Sequence, residues 1–582
     1  GGLRPIAIGY TLRRVAAKCA NRYAVNKLAP FFAPLQVGIA TPAGCEAAVH
    51  AARKYVTAMP QDHVFVKLDF SNAFNSLHRD VMLQSAYTVI PEIYSFVHQS
   101  YSSASVLKFG SFSISSQLGP QQGDPLGPLL FCLPLQPVLH SLTSDLRMGY
   151  LDDLSLGGSP DIVAKDIETL ASLNSSLGLN LNLNKCEFYS PSVMASNYPS
   201  FSEFQCVDFE SLTLLGAALF KGSALDSMLQ AHCKALESAI DDLCQLPAQS
   251  SLILLRSSFG APKLSHVLRC SPCQDHTMLA RLDEMMREGL ERIINISLNK
   301  HQWMQASLPI RDGGLGLRRV SSLASSAYLA SAACTLELQS AILTKCTTVP
   351  DAYFEEVLAA RHDTLPSVID PLPVKQGAWD RPLVDKDKKS ILASMSNPVD
   401  RARMAAACFP HSGDWLTALP ITSCGLCIDN EGVRVAVGLR LGLDLCSPHM
   451  CQCGDAVSSD GHHGLVCRLS KGRSIRHHAI NDIIWRSLQS ADVPSMKEPS
   501  GLLRTDGKRP DGATLIPWSA GRYMAWDATV VHTCAASYLS QTAISAGSAA
   551  EQAAVRKTAK YALLPATHVF VPIAFETLGP VN

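Results

Sequence analysis

The sequence predicts an α+β chain folded as several domains. Three observations carry this reading: short apolar strands that end in aspartates within the first 220 residues, a long stretch of helical spacing after them, and two strand-like runs with further aspartates near the C-terminus. With 582 residues, 47% hydrophobic and 17% charged, the chain has apolar side chains for three or four cores, which excludes disorder as its main state.

The first strand is His63-Val64-Phe65-Val66-Lys67-Leu68-Asp69-Phe70. Alternation puts Val64, Val66 and Leu68 on one face and Asp69 on the other. In Gly149-Tyr150-Leu151-Asp152-Asp153-Leu154-Ser155-Leu156, an aspartate pair sits at a tight turn between two short apolar strands. Alone, such a pair is commonly a solvated hairpin tip, because Asp favours turns. With Asp69 it supplies acidic strand ends for two divalent cations side by side, the device that stabilises both oxygens of an in-line phosphoryl displacement.

Between these acids, Phe74 in Ser71-Asn72-Ala73-Phe74-Asn75 is placed to pack under a nucleotide sugar and exclude a 2′-hydroxyl. Next, Gly119-Pro120-Gln121-Gln122-Gly123-Asp124-Pro125-Leu126-Gly127-Pro128-Leu129-Leu130-Phe131 reads as a loop feeding a helix. Asp124 suits the N-cap and Pro125 the first helical position, with Leu126, Leu129, Leu130 and Leu133 on one face. Gln122 and Gly123 would let backbone approach a template base pair closely.

This order resembles a reverse transcriptase palm, with Asp69 in the first catalytic motif, Gln122-Gly123 in the second and Tyr150-Leu151-Asp152-Asp153 in the third. The resemblance continues in Gly178-Leu179-Asn180-Leu181-Asn182-Leu183-Asn184-Lys185-Cys186-Glu187, where it implies that Lys185 protonates the leaving pyrophosphate. Leu212-Thr213-Leu214-Leu215-Gly216-Ala217 looks like the hairpin that grips the primer. Upstream, Arg4-Pro5-Ile6-Ala7-Ile8-Gly9 and Gln36-Val37-Gly38-Ile39 are similar to finger motifs of retroelement enzymes. The chain opens with Gly1 rather than Met, so on this assignment it begins inside the polymerase.

Net charge is zero, which argues mildly against nucleic-acid binding unless basic residues are localised. Arg468-Leu469-Ser470-Lys471-Gly472-Arg473-Ser474-Ile475-Arg476-His477-His478 is such a run and contains no acid. No stretch reaches the roughly 18 to 20 apolar residues of a membrane span, and residues 127–139 are broken by Pro128, Pro134 and Pro137. No membrane partner is expected, and no secretory segment opens the chain. An intracellular location then makes the nineteen cysteines reduced core thiols or metal ligands.

Residues 221–335 read as a helical thumb, in which Leu252, Leu254 and Leu255 precede Arg256-Ser257-Ser258 and Leu279, Leu282, Met286, Leu290 and Ile293 recur at helical spacing. Residues 303–317, with Asp312-Gly313-Gly314, resemble the thumb end of retroelement proteins. Residues 336–445 are mixed and mostly helical, with a Pro-rich linker at residues 366–373.

Cys451-Gln452-Cys453 is followed after nine residues by His463 and after three more by Cys467, three thiolates and an imidazole for tetrahedral Zn²⁺. His462 could replace His463, and Cys446 or His449 could enter the shell. Cys424 and Cys427 form a second pair with nothing to complete it.

Farther on, Lys508-Arg509-Pro510-Asp511-Gly512-Ala513-Thr514 and Tyr523-Met524-Ala525-Trp526-Asp527-Ala528-Thr529 form two strand-like runs joined by a turn near residues 517–521. A hairpin there brings Asp511 and Asp527 together to hold one or more Mg²⁺ and activate water for phosphodiester cleavage. This resembles the Pro-Asp…Asp/Glu-x-Lys core of restriction-like endonucleases, with Thr529 where the lysine is expected. Lys557 or Lys560, three apart on Ala-rich helical sequence, could supply it. Glu498 is a weaker third acid.

The whole order resembles a non-LTR retrotransposon protein carrying its endonuclease at the C-terminus. The resemblance implies partial fingers and palm in residues 1–220, thumb in 221–335, a helical linker region in 336–445, zinc knuckle and basic segment in 446–480, and restriction-like endonuclease in 481–582. It implies target-primed reverse transcription in the nucleus, with element RNA as template, nicked chromosomal DNA as primer and dNTPs as substrates. Asp69, Asp152 and Asp153 would hold the polymerase metals, with Phe74, Gln122, Gly123 and Tyr150 at the nucleotide and template. The rival readings are a decayed or host-adopted copy that binds nucleic acid without catalysis, and an RNA-dependent RNA polymerase, whose sugar pocket would favour a small polar residue over Phe74.

Overall fold

The computed structural model describes residues 6–361, 372–502, 507–564 and 566–582, apart from the side chains of residues 173–175. Arg4-Pro5 of the first finger motif and residues 366–371 of the Pro-rich stretch lie outside the described residues. By internal packing the chain forms two compact units, one of residues 1–232, 265–276 and 323–380, the other of 233–264, 277–322 and 381–582.

The first unit holds β1 (Val64–Leu68), β2 (Ser105–Phe109), β3 (Phe112–Ser116), β4 (Leu146–Tyr150), β5 (Asp153–Gly158), β6 (Glu187–Tyr189), β7 (Gln205–Cys206), β8 (Thr213–Leu214) and β9 (Ala217–Ala218). Five make one sheet in the order β4-β5-β1-β6-β7, antiparallel except for the β6/β7 pair. Alternation along β1 divides two cores. Val64, Val66 and Leu68 pack with Leu154, Leu156 and helix Gly127–Ser141 on one face. Phe65 packs with Leu146, Met148 and helix Gly44–Ala58 on the other. Burial on both faces makes β1 a nearly continuous apolar run that stops at Asp69.

The helix after the second motif begins at Gly127, two residues beyond the expected start, and Pro128 takes the early-turn position. Asp124 serves the turn before it: its Oδ1 accepts the Leu126 N–H at 2.9 Å and its Oδ2 the Tyr101 hydroxyl at 2.7 Å. Pro134 and Pro137 do not interrupt the helix, and burial extends around it rather than along one leucine face, since Phe131, Cys132 and Gln136 are also buried. An apolar helix of this kind belongs inside a protein core. Among the described residues no helix is long and apolar enough to cross a membrane.

The second unit begins with helical segments. In helix Thr277–Ile294, Leu279, Leu282, Met286 and Leu290 are buried, and the stripe is completed by Ile294. Ile293 is only half-buried, because the 3.6-residue period carries the face from 290 to 294. The Asp312-Gly313-Gly314 turn is held by the buried Arg440, whose guanidinium donates to the carbonyls of Gly314, Ile310 and Ala407 at 3.0, 2.8 and 3.1 Å. Both carboxylate oxygens of Asp312 accept from Arg381 Nη1 at 3.0 Å. Later come a small hairpin, β10 (His449–Met450) and β11 (Ala456–Val457), and a four-stranded sheet of β12 (Ser495–Lys497), β13 (Gly512–Thr514), β14 (Tyr523–Val531) and β15 (His568–Glu576). β13 and β14 are antiparallel, β14 and β15 parallel. Helices Gly472–Ser490 and Ser548–Lys560 flank this sheet.

Candidate active sites

Three acids of the first unit line one open cleft of about 900 Å³, shared by Asp69, Asp152, Asp153, Phe74, Gln122 and Lys185. Asp69 follows the last residue of β1. The antiparallel bridge Phe70↔Leu181, with Asn182 N–H donating to the Asp69 carbonyl at 2.8 Å, holds the Gly178–Glu187 motif beside it. That pairing brings Lys185 Nζ to 3.6 Å from the Asp69 carboxylate. Asp152 and Asp153 ride on the β4/β5 hairpin, where Tyr150 pairs with Asp153 and Leu151 takes a left-handed φ of 58°. The three carboxylates share the cleft without forming one of the tight ligand clusters found elsewhere among the described residues.

Phe74 stacks on Phe131 at 4.5 Å and 13° while still lining the cleft, so it serves core and site together. Gln122 also lines the cleft, but Gly123 and Tyr150 do not. Gly123 has φ 111°, and a Cβ there would lie 2.6 Å from the Ala7 carbonyl. Its close approach is therefore to the upstream segment, where Ala7 N–H donates to Gln122 O at 2.7 Å. Tyr150 packs with Leu146 and Met148 on the far face of β4. The Leu212–Ala217 motif forms the β8/β9 hairpin, tied to the sheet by Lys67 Nζ, which donates to Thr213 O at 2.7 Å and pairs with Glu187 at 2.6 Å.

In the second unit, the β13/β14 register sets Gly512 opposite Trp526 and so places Asp511 and Asp527 side by side. A Cβ at Gly512 would lie 2.0 Å from the Trp526 ring, so only glycine fits beside that indole. Asp527 is buried and takes Lys557 Nζ at 2.6 Å and Lys560 Nζ at 3.5 Å, both from helix Ser548–Lys560. Both candidate lysines of that helix thus face Asp527. Asp511 accepts from His477 Nε2 at 3.0 Å and from the Ala528 N–H at 2.7 Å. Burial is the largest single influence on the Asp511 carboxyl and pushes it up, but the hydrogen bond and charge of His477, the Ala528 N–H and Asp527 together outweigh it, and the net shift is downward. The same bond raises the His477 pKa. Glu498 is more than half exposed and pairs with Arg509.

Sequence reasoning did not single out His477, which joins Asp511 and Asp527 in one cluster with ligand atoms within 4.8 Å. No sequence signal joined it to Asp511, 34 positions away; one turn on along the same helix, Asn481 accepts from Trp526 Nε1 at 2.8 Å. Beside this centre the basic run lines a cleft of about 560 Å³ through Arg468, Arg473, Arg476, His477 and His478, with no carboxylate in its lining.

Cys451, Cys453, His463 and Cys467 converge within 4.8 Å of one another. Cys451 and Cys467 sulfurs are 3.8 Å apart, and Cys453 Sγ is 3.3 Å from His463 Nε2. The Cys453 backbone N–H lowers the Cys451 pKa and so favours the thiolate. Three thiols and an imidazole around one point fit tetrahedral Zn²⁺. Cys446 and His449 turn instead to the carbonyls of Ser458 and Ser447, and Cys424 and Cys427 are exposed.

Residues 1–218 match the family model described as reverse transcriptase (RNA-dependent DNA polymerase). They form a reverse-transcriptase domain. The chain is 21% identical over 553 residues to the retrotransposable element SLACS 132 kDa protein of Trypanosoma brucei gambiense, an alignment covering 91% of this chain and 41% of that protein. The chain therefore spans about two fifths of the relative's length. Among solved structures it is similar to telomerase from Candida albicans in complex with a telomeric RNA fragment, at 11% identity and TM-score 0.30, covering 60% of this chain and 57% of that one. Apo telomerase from Candida tropicalis gives 11% and 0.28, covering 58% and 61%.

Within the reverse-transcriptase domain, Gln36 is a further residue whose role sequence reasoning left unassigned. It is fully buried, and its segment adds to the β4 edge through the bridge Gln36↔Gly149. A buried amide in a motif otherwise made of Val, Gly and Ile was the available signal, since buried polar groups are held by partners.

Proposed function

We propose that this chain is the RNA-directed DNA polymerase of a non-LTR retrotransposon, acting at the chromosome in the nucleus by target-primed reverse transcription, with a C-terminal endonuclease that nicks the DNA. The observation that carries the reading is the cleft in which Asp69, Asp152, Asp153 and Lys185 meet on a reverse-transcriptase domain. The likeness over most of the chain to a retrotransposable-element protein supports the wider assignment.

In the polymerase cleft, hard carboxylate oxygens on rigid strand ends suit Mg²⁺. Held by Asp69 and Asp152, with Asp153 assisting, Mg²⁺ would neutralise triphosphate charge and favour the primer alkoxide. The primer 3′-oxygen attacks the α-phosphate of the dNTP and pyrophosphate leaves. Lys185 stands on the Asp69 side of the cleft to give the leaving group its proton. Phe74 lies under the sugar and excludes ribonucleotides, and Gln122 supports the templating pair, with Gly123 letting the loop pack against Ala7 behind it. The β8/β9 hairpin grips the primer.

In the second unit, Asp511 and Asp527 suit a divalent cation, with Lys557 or Lys560 orienting the water that attacks the phosphodiester. The basic cleft beside them and a Zn²⁺ knuckle at Cys451, Cys453, His463 and Cys467 hold target DNA. The test is dNTP incorporation on a primed RNA template with Mg²⁺. Asp152→Ala should abolish synthesis while Asp511→Ala leaves it intact and removes nicking. Synthesis that survives Asp152→Ala overturns the polymerase assignment.

A further inference from the structure

His462 and His463 are adjacent in sequence and part ways in the fold. His463 joins the cysteines of the knuckle, whereas His462 meets His532 and Cys534 in the segment that follows β14. One ligand atom from each of these three residues lies within 4.8 Å of the others, and the two imidazole centroids are 5.0 Å apart.

The hydrogen bonding around the rings is incomplete in one direction. His532 is 6% exposed, and its Nδ1 shares a 2.7 Å hydrogen bond with the Thr577 hydroxyl. Its other nitrogen, Nε2, is buried and has no hydrogen-bond partner among the described residues, and the same holds for His462 Nδ1. Two bare ring nitrogens beside a thiol are an unfavourable core, because a buried polar atom that loses water requires a replacement partner. An imidazole with one nitrogen fixed by an oxygen and the other bare is, however, the arrangement of a metal-ligating histidine. Asp460, which accepts the His462 backbone N–H at 3.0 Å, brings negative charge near both rings.

We propose that His462, His532 and Cys534 form a second transition-metal site, separate from the knuckle, with Zn²⁺ as its occupant. Two imidazoles and a thiolate are borderline and soft donors that select Zn²⁺ over Mg²⁺, and three protein ligands leave one position for water. The ion ties the residue beside the knuckle to the strand that carries Asp527, so that the knuckle is fastened to the candidate nuclease sheet.

The test is zinc content per chain, measured by elemental mass spectrometry on the purified full chain. Cys534→Ser and His532→Asn should each lose one equivalent, whether or not Cys451→Ser and Cys467→Ser are also present. Unchanged zinc in both variants overturns the proposal. Should the variants fail to fold, Co²⁺ titration of the metal-free wild-type chain decides. A second equivalent with the charge-transfer intensity of one thiolate, beside one with that of three, supports the site, and uptake of a single equivalent overturns it.

Discussion

The side-chain amide of Gln36 brackets the backbone of Leu151. Its Oε1 accepts the Leu151 N–H at 2.8 Å, and its Nε2 donates to the Leu151 carbonyl at 3.1 Å. Leu151 is the left-handed residue of the β4/β5 turn, one position before Asp152. Gln36 thus sets where the acidic turn stands in the cleft without lining it.

Gln36→Ala should therefore act as a positioning defect. Leaving the turn's amide and carbonyl without partners destabilises the domain by about 1–3 kcal/mol. A shift of the carboxylates by about 1 Å lowers kcat by about 100-fold with little change in KM for dNTP. Gln36→Glu retains the acceptor and loses the donor, so partial recovery is expected. Steady-state incorporation with both variants checks this, and wild-type kcat in Gln36→Ala would refute the positioning role.

Phe74 makes a second, sharper test. Its ring is held flat against Phe131, so its edge in the cleft is fixed. Phe74→Val opens space beneath the sugar and should raise rNTP use relative to dNTP by about 10- to 100-fold, the range steric selection in an apolar pocket supplies. The ratio of kcat/KM for matched rNTP and dNTP measures it. An unchanged ratio would leave Phe74 a core residue only.

The meeting of these residues in one cleft was legible because each motif is local: a strand ending in Asp69, a turn holding Asp152 and Asp153, and a loop ending near Lys185 each carry their own periodicity or turn chemistry. The Asp511 and Asp527 pairing was legible for the same reason, as a hairpin. What spacing could not show was long-range satisfaction of buried polar groups. Gln36 reaches Leu151 across 115 positions and His477 reaches Asp511 across 34, and neither contact leaves a periodic trace. The helix begins at Gly127 rather than Pro125 because Asp124 closes a turn first, its carbonyl accepting the Gly127 N–H at 2.9 Å and its Oδ1 the Leu126 N–H at 2.9 Å.

Arg440 illustrates the same point in stability. Burial lowers its pKa to about 10, yet its guanidinium remains the shared donor for carbonyls of the Asp312-Gly313-Gly314 region. Arg440→Leu should destabilise the second unit by about 3 kcal/mol, since several buried carbonyls lose their donor together. Arg440→Lys should rescue little, because a single ammonium cannot reproduce the planar fork. Urea unfolding followed by tryptophan fluorescence gives the difference, and a midpoint unchanged in Arg440→Leu would refute the account.

The lysines of helix Ser548–Lys560 offer a test that separates the two proposed activities. Lys557 bonds the buried Asp527 at 2.6 Å and Lys560 stands farther off at 3.5 Å. Lys557→Ala should lower the nicking rate by about 100-fold or more, the range for a positioned group that handles a proton, and Lys560→Ala should lower it less. Neither change should alter dNTP incorporation on a pre-nicked primer, because polymerase chemistry is assigned to Asp69, Asp152 and Lys185. His477→Ala offers the complementary case. Freed of its histidine, Asp511 should titrate at higher pH, so the Mg²⁺ concentration for half-maximal nicking should rise most at low pH, where a protonated carboxylate competes with the cation. Nicking rates over a Mg²⁺ series at two pH values distinguish these effects. Equal Mg²⁺ dependence in wild type and His477→Ala would mean that His477 packs beside the centre without tuning it.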